Sequence, residues 1–448
     1  MTSVPPSGFP ATTVVLCLFF IALVPLASIG LSVVNAGLGR SHSAAHAMLS
    51  ALCVFSVAVG VYFICGFAWQ GYIGMPAHTI SVAGKSWNWI GAAPFFLRRI
   101  EFDGSPASLA VWLQMLSVAL AASIPLGAGV ERWRLPACCA STALLAGWTY
   151  PLFAHWVWGG GWLAQLGTNY GLGHGFVDAG GASCIQVVGG LTALAMAWIL
   201  GPRRGKYGPD GMPAAIPGHS GVLILWGCSL AYVGWLGLNS AGAILFAGIE
   251  PGRAVLVSIN TTLAAGSAGL AAALVTRLRF GRPDVSITAN AWVGGLVASS
   301  AACAFVSPAG AVIIGLFAGA LVTFSVEWFE LHFGVDDPGG AISVHGVAGI
   351  WGLLALGLLG HFSGPVFNLP GTASSHSSDS GQWLAQLMGV VTLLGFVLPL
   401  TYGLNLLLNL VCRHRVAPEG ERQGLDLYEL GAGAYPEFVT HTEEFTQR

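Results

Sequence analysis

Two segments of the sequence repeat the same spacing between a carboxylate and a second polar side chain. Asp178 and Asp337 are each followed, after one residue, by Gly-Gly-Ala, and eight residues after each aspartate stand Gln186 and His345. If each aspartate caps a helix, eight residues at about 1.5 Å each place the second polar group roughly 12 Å along it. That is close to the middle of a hydrocarbon layer about 30 Å thick, where polar side chains mark a path for a substrate.

The composition of the 448-residue chain indicates a membrane protein. Charged residues make up 8% and hydrophobic residues 55% of the sequence, and the mean hydropathy is +0.73. Such a chain has too few polar residues for an ordinary soluble surface. Apolar stretches long enough to span a bilayer lie near 11–35, 44–68, 106–130, 136–158, 179–201, 220–246, 254–276, 286–306, 309–331, 340–361 and 384–412. The sequence therefore predicts an all-α polytopic protein with eleven transmembrane helices and termini on opposite sides.

The distribution of Lys and Arg orients the predicted helices. Thirteen of the 17 basic residues fall on one side if the N-terminus is outside, and short loops such as 202–218 and 277–285 carry this excess. By the positive-inside rule, the N-terminus is expected outside the cell membrane and the C-terminus in the cytoplasm. We expect no signal-peptide cleavage, because 11–35 is too long for a signal-peptide core. The net charge of -2 gives no reason to expect a nucleic-acid partner.

The repeated segments also predict the architecture. They begin the fifth and tenth spans and therefore start from opposite faces of the membrane, which indicates an inverted five-helix repeat. The halves are expected at about 11–201 and 220–361, an extra helix at 384–412, and a cytoplasmic tail at 413–448. Gln186 and His345 should meet near the pseudo-two-fold axis. The 63 glycines favour close helix packing.

The cysteines do not indicate a metal centre or a disulfide scaffold. There are nine, all in or at the ends of apolar spans and none in a Cys-x-x-Cys spacing. Small buried thiols are the simpler interpretation. No cofactor and no enzyme activity are expected.

Several ordered motifs resemble the ammonium transporter family, the Amt/Mep/Rh group. They are Glu131-Arg132, His155-Trp-Val-Trp158-Gly-Gly-Gly-Trp162, Gly234-Trp235-x-Gly-x-Asn239, Cys303-Ala-Phe-Val-Ser-Pro308 and Ser343-Val-His345-Gly-Val-Ala-Gly349. The resemblance extends from about residue 24 to 436. It implies a homotrimer with a narrow apolar pore in each subunit, an outer vestibule that recruits ammonium, and two histidines in the pore.

The resemblance also suggests roles for individual residues. Trp158 matches the vestibule tryptophan, whose indole face attracts a cation, although a tryptophan at a span end is also typical of an interfacial belt. Asp178 is expected to cap the fifth helix and to favour a cation electrostatically, without direct contact. His345 matches a pore histidine. Asp337 is expected to be the corresponding cap of the inner repeat.

Other positions depart from the family pattern. Gln186 stands where most members have the other pore histidine, and its amide does not titrate near neutral pH. Ser117 and Leu238 match the positions of two stacked phenylalanines, so the steric gate is expected to be altered or missing. Gly242 replaces a vestibule serine, and Ser300 a threonine of the eighth span.

Two functions follow from this pattern, and a third is less specific. The first is an ammonium or ammonia transporter that conducts through each subunit. The second is an ammonium sensor with little conduction that signals to a cytoplasmic partner, such as a PII-type protein, or to a fused domain. The third is a gas channel of the Rh type, against which the eleven spans weigh. The tail resembles the family's regulatory tail, but its usual His-Gly-Glu core reads Leu430-Gly431-Ala432.

Overall fold

The computed structural model describes residues 8–362, 366 and 379–436. Within these residues, eleven helices are long and apolar enough to cross a membrane, which confirms the number predicted from the sequence. We number them α1 to α11. They are α1 Ala11–Leu38, α2 Ser41–Gln70, α3 Pro106–Gly129, α4 Leu135–Trp158, α5 Ala182–Leu200, α6 Gly221–Ala247, α7 Pro251–Phe280, α8 Val285–Ala302, α9 Pro308–Phe333, α10 Ile342–Leu359 and α11 Gln382–Val411.

The two faces of the bundle carry different structures. On one face, strands β1 (Ala77–Val82) and β2 (Lys85–Gly91) form an antiparallel hairpin. Its two-residue turn, Ala83-Gly84, has positive φ at both positions, as a tight hairpin turn requires. We call this face the hairpin side. The opposite face carries the C-terminal segment 412–436 and is called the tail side.

The inverted repeat is visible in the starts of α5 and α10. The helix α5 begins on the hairpin side and α10 begins on the tail side. Each begins with a π-helical turn, Ala182–Val187 or Ile342–Val347, and a glycine of positive φ lies at the start of each, Gly181 and Gly340. The same local structure, inserted from opposite faces, confirms the predicted inverted repeat of α1–α5 and α6–α10.

The helix starts differ from the sequence-based expectation. We expected a continuous α-helix from each aspartate, whereas α5 begins at Ala182 and α10 at Ile342. The intervening residues form a loop, because the positive-φ glycine interrupts the helical path. The depth of about 12 Å, calculated for eight α-helical residues, therefore does not apply to Gln186 and His345.

The helices α5 and α10 cross in close contact. A Cβ atom on Gly190 would lie 2.4 Å from the backbone nitrogen of Gly346, and one on Gly349 would lie 2.6 Å from a Val187 side-chain atom. Real Cβ atoms do not approach other atoms so closely, so the crossing depends on the missing side chains. Small residues at such crossings allow backbone packing where lipid provides no hydrophobic driving force.

A buried group of ion pairs joins the loops on the tail side. Arg203 binds both Asp336, at 2.9 Å, and Glu131, at 3.2 Å, and Arg132 donates to the Asp336 carbonyl at 2.7 Å. Burial alone would raise the pKa of the Asp336 carboxyl, but its hydrogen bonds and the positive charges of Arg203 and Arg132 lower it. The loops after α3, α5 and α9 are thus held together next to the start of α10.

The C-terminal segment caps two helices on the tail side. The Asp426 carboxylate accepts hydrogen bonds from the backbone N–H groups of Ala45 and His46, at 3.2 and 2.7 Å. Glu429 accepts from the backbone N–H of Leu135 at 2.9 Å and contacts the His46 ring at 2.8 Å. A carboxylate at a helix N-terminus satisfies free N–H groups and complements the helix dipole. The tail is therefore anchored to α2 and α4. Residues 437–448 of the predicted tail lie outside the described residues.

Candidate functional site

The structure brings Gln186 and His345 into direct contact. His345 Nδ1 lies 2.7 Å from the Gln186 side-chain oxygen, and both side chains are buried. Since the amide oxygen only accepts, Nδ1 carries the proton of this hydrogen bond and Nε2 is left as an acceptor. The Gln186 amide nitrogen has no partner. The pair therefore offers a ligand one donor and one acceptor within an apolar core.

The position of this pair follows from the crossing of α5 and α10. Gln186 lies in the first turn of α5 and His345 in the first turn of α10. Four residues after Gln186, Gly190 meets the backbone of Gly346. Because the two first turns come from opposite faces, their polar side chains meet where α5 and α10 cross, as in other inverted-repeat membrane proteins.

The hydrogen-bonding capacity of the Asp178 carboxylate is used at the start of α5. Its carboxylate accepts hydrogen bonds from the backbone N–H groups of residues 181–184, at 2.7 to 3.3 Å, and from the Ser183 hydroxyl at 2.6 Å. Burial raises the pKa of the carboxyl, although these hydrogen bonds act in the opposite direction. The side chain is 1% exposed, so Asp178 shapes the site through the helix start.

Asp337 holds the start of α10 in a similar but weaker way. One carboxylate oxygen accepts the backbone N–H of Ile342 at 2.7 Å, and the other has no partner. Burial raises the pKa of this carboxyl to about 6. The two repeats therefore share a capping aspartate at the same position, but the Asp337 carboxylate accepts fewer hydrogen bonds than that of Asp178.

Trp158 lies on the hairpin side and is stacked against an aromatic ring that the sequence analysis missed. Its ring is parallel to that of Phe246, with centroids 4.1 Å apart and an interplanar angle of 9°. The indole N–H donates to the Asp178 carbonyl at 2.8 Å, so Trp158 also orients the start of α5. Phe246 is the penultimate residue of α6 and lines a groove together with Tyr72. The Tyr72 hydroxyl donates to the Leu245 carbonyl at 2.7 Å. One face of the indole is therefore covered by Phe246.

The positions predicted to form an altered gate are small or aliphatic and buried. Ser117 donates its hydroxyl to the Leu113 carbonyl at 2.7 Å, and Leu238 is 1% exposed. The aromatic stack of this region is instead that of Trp158 and Phe246. Phe246 lies near the end of the sixth span, eight residues beyond Leu238, the position at which the family pattern places an aromatic ring.

Gly242 and Ser300 pack against the loop that carries Asp178. A Cβ atom on Gly242 would lie 2.3 Å from the Ala179 carbonyl oxygen, so this backbone leaves no space for a serine side chain. The Ser300 carbonyl accepts the N–H of Gly180 at 2.8 Å, and its hydroxyl accepts from Trp235 at 3.2 Å. Both residues hold the loop in place.

On the tail side, two asparagines that the sequence analysis missed lie close to His345. Asn35 of α1 and Asn290 of α8 line a small cavity together with His345. Each is an isolated amide in a largely apolar span, which is a detectable sequence signal. Among the described residues, no group of three His, Cys, Asp or Glu side chains could hold a metal ion.

These features define a class of membrane protein. It is an eleven-helix bundle with an inverted repeat, in which α5 and α10 bring a polar pair together in an apolar core. The family model described as "Ammonium Transporter Family" matches residues 15–435. The chain belongs to the ammonium transporter family, which is a family of transporters and not of enzymes.

Individual relatives agree with this assignment. The chain is 37% identical to ammonium transporter Amt2 of Archaeoglobus fulgidus over 431 residues, covering 94% of this chain and 88% of that one. It is 29% identical to the ammonium transporter of Bacillus subtilis, covering 93% and 97%. A solved structure described as "Sensor Amt Protein" matches with a TM-score of 0.81 and 30% identity, covering 93% and 97%. Candida albicans Mep2 shares the fold, with a TM-score of 0.78, 24% identity and coverage of 97% and 92%.

Proposed function

We propose that this protein transports ammonium as ammonia, through a pore in each subunit that passes Gln186 and His345. The observation that carries this proposal is the buried contact of 2.7 Å between these side chains, where α5 and α10 cross. The names of its relatives support the choice of ligand.

The chemistry of the pair suits neutral ammonia. A charged ion in the middle of a bilayer is costly unless it finds charged partners or sheds its proton. Gln186 Nε2 donates to the ammonia lone pair, and His345 Nε2 accepts an ammonia N–H. His345 is the titratable member of this pair. The pore therefore lacks two adjacent titratable groups that could relay a proton, and we expect ammonia flux with little current.

Recruitment takes place on the hairpin side. Trp158 and Phe246 present aromatic rings near the start of α5, and aromatic faces attract a cation as it loses water. The Trp158 indole donates to the Asp178 backbone carbonyl, while the buried Asp178 carboxylate caps the start of α5. It favours a cation by offsetting the positive end of the α5 dipole.

The proposal includes an orientation, a location and an assembly. The hairpin side faces outward and the tail side faces the cytoplasm, because the basic residues concentrate on the tail side. The protein is placed in the cell membrane as a homotrimer, with 1–412 as the transport domain and 413–448 as a cytoplasmic tail. A PII-type protein or a fused signalling domain would act from this face. These assignments rest on the family resemblance and on charge distribution.

A sensor is the second candidate. Two observations favour it: the matched structure described as "Sensor Amt Protein" and the amide at position 186. A sensor would bind ammonium at the same pair and conduct little or nothing.

Liposomes loaded with a pH-sensitive dye test the proposal. Entry of neutral ammonia consumes protons and makes the lumen alkaline, whereas entry of charged ammonium produces a current. We expect the wild-type protein to accelerate alkalinisation relative to protein-free liposomes and to His345→Ala, with little current. Absence of accelerated alkalinisation, together with an ammonium-dependent rise in melting temperature, would replace the transporter by the sensor.

A further inference from the structure

A wide groove opens on the hairpin side, where several helices begin or end. Its lining comes from the starts of α1, α3 and α7, the end of α6 and the residues just after α2. The free volume is about 700 Å³, which lies within the range of pockets that enclose small organic molecules. Neither Gln186 nor His345 lines this groove, so it is separate from the polar pair. An ammonia molecule, with one non-hydrogen atom, leaves most of it empty.

Three aromatic rings line the groove. Phe246 and Tyr72 are buried, with ring centroids 6.4 Å apart and ring planes inclined by 54°, so the two rings form a corner. Phe9 is half-buried and is the third ring. One face of Phe246 is stacked on Trp158, and the Tyr72 hydroxyl is held by the Leu245 carbonyl. The groove therefore presents aromatic surface whose orientation is fixed by contacts outside it.

One carboxylate supplies the charge of the groove. Glu250 is exposed and has no side-chain hydrogen bond or ion pair with any described residue. Among the described residues, no Lys, Arg or His side chain lines the groove. Arg253, the nearest basic residue along the chain, donates to the Ala304 carbonyl at 3.1 Å. The groove thus combines aromatic rings with a negative charge that no lining residue neutralises.

This combination favours an organic cation over ammonium. The face of an aromatic ring attracts a positive charge, and sets of aromatic rings bind quaternary ammonium groups in this way. A fully alkylated nitrogen has no N–H group, so ring faces and apolar lining satisfy it and its methyl groups gain from burial. Ammonium, in contrast, has N–H donors that need oxygen acceptors when it leaves water.

We propose that the groove binds a small, water-soluble quaternary ammonium ion, whose charged group lies among the three rings and is attracted by Glu250. The groove lies at the ends of helices and includes an exposed carboxylate, which suits a ligand that arrives from water. Because Phe246 also stacks on Trp158, the bound ion contacts the ring that supports this indole. The inference concerns a second ligand and does not rest on the transport of ammonium.

Saturation-transfer NMR with choline tests the proposal on the full-length protein in dodecyl maltoside, an uncharged detergent. Its uncharged isostere neohexanol, in which carbon replaces the nitrogen, reports apolar burial alone. We expect wild-type protein to bind choline more tightly than neohexanol. Glu250→Gln should weaken choline binding about two- to fivefold and leave neohexanol binding unchanged. Phe9→Leu should weaken choline binding by roughly two- to thirtyfold, because a cation–π contact is removed.

Two exposed residues outside the groove provide matched controls. Glu101→Gln removes another carboxylate of the hairpin side, and Phe19→Leu removes another phenylalanine near the start of α1. Both variants should bind choline as the wild type does, and melting temperatures show that each variant is folded.

Three results would overturn the proposal. The first is the absence of saturable choline binding to folded wild-type protein at millimolar concentrations. The second is equal affinity for choline and neohexanol, which would make the groove an apolar site without charge selectivity. The third is binding of a short-chain phosphatidylcholine without binding of choline, which would identify a lipid headgroup as the ligand.

Discussion

Gln186 gives the buried pair one titratable side chain where the family pattern has two. Its oxygen binds His345 Nδ1 at 2.7 Å, so the geometry of a polar pair is retained while one proton-binding group is absent. A glutamine orients the imidazole as a second imidazole would, but it neither takes up nor releases a proton near neutral pH. Binding and charge transfer are therefore separable at this position.

The substitution Gln186→His should restore a two-group proton path. We expect the wild-type protein to bind ammonium with little ammonium-dependent current and Gln186→His to increase that current. Electrical recording on supported membranes gives the measurement, with His345→Ala as a variant that loses specific binding in either background. A robust, saturable wild-type current that Gln186→His leaves unchanged would contradict the argument.

Trp158→Leu should weaken the apparent affinity for ammonium, because it removes the indole face and also the indole N–H that binds the Asp178 carbonyl. A cation–π contact worth about 1–2 kcal/mol corresponds to roughly a ten- to thirtyfold change in affinity. The concentration dependence of uptake or binding measures it. Trp198→Leu is the control, since Trp198 lies near the other end of α5 and is 46% exposed. Equal effects of the two substitutions would make Trp158 an interfacial anchor.

The polar pair could be predicted from the sequence because its two members stand at equal positions in a repeat. Phe246, Asn35 and Asn290 could not be assigned in this way. Each lies on a helix outside the repeated segment, and its position relative to the pair depends on how the helices pack. Apolar periodicity gives no such information in a span that is buried on several faces.

At the scale of elements, the site depends on how closely α5 and α10 approach. The sequence predicted both helices and their opposite directions, and the structure confirms them. It did not predict the π-helical first turns, since these arise where a positive-φ glycine and a buried aspartate cap replace the regular start of a helix. The exact place of Gln186 and His345 is therefore a tertiary property.

Gly190→Ala should push α5 and α10 apart and weaken the binding of ammonium. The new Cβ would lie 2.4 Å from the Gly346 backbone nitrogen, and overpacking of this kind typically costs about 1–3 kcal/mol. Melting temperature and ammonium binding in detergent are the measurements. The control is Gly60→Ala in α2, where no atom beyond the local helix backbone lies within 4 Å of the added carbon. Equal stability of both variants would show that the crossing of α5 and α10 can accommodate an added methyl group.

Glu429→Gln should loosen the tail from α2 and α4. Burial alone would raise the pKa of Glu429, but its hydrogen bonds with His46 and the Leu135 N–H, with nearby positive charge, lower it below the ordinary 4.5. A carboxyl with a lowered folded pKa stabilises the docked tail above its ordinary pKa, and this contribution is lost as the pH falls through the folded value.

Hydrogen–deuterium exchange at neutral pH checks this prediction. Glu429→Gln should exchange faster than wild type at residues 424–431 and at the start of α4. Glu419→Gln is the matched control, because the Glu419 side chain is 71% exposed and its contact with Arg422 is long, at 3.8 Å. Unchanged exchange in Glu429→Gln would mean that Asp426 and the other tail contacts, such as that of Leu425 with Ser43, hold the tail without Glu429.

For the whole molecule, the structure separates a hairpin side from a tail side, and the distribution of Lys and Arg predicts which of the two faces the cytoplasm. The loops after α3, α5 and α9 and the C-terminal tail lie on one face, where Arg132, Arg203 and Asp336 join them. The sequence predicted these loops on a single side from the order of the eleven spans, because loops that follow odd-numbered spans share one face. The Lys and Arg distribution assigns this side to the cytoplasm, and that assignment stays a prediction, which depends on the sum over short loops and not on any one side chain.

Cysteine labelling tests this orientation in intact cells. Gly173, a natural choice on the hairpin side, is unsuitable, because its φ is +54° and a Cβ there would lie 2.4 Å from the Gln382 side chain. Ser81, exposed on β1, replaces it, and Met212, which is 57% exposed, serves for the tail side. The nine native cysteines are buried or half-buried, so the unmodified protein gives the background. A membrane-impermeant maleimide should label Ser81→Cys from outside and Met212→Cys only after the membrane is permeabilised. The reverse pattern would place Trp158 on the cytoplasmic face and remove its role in recruitment.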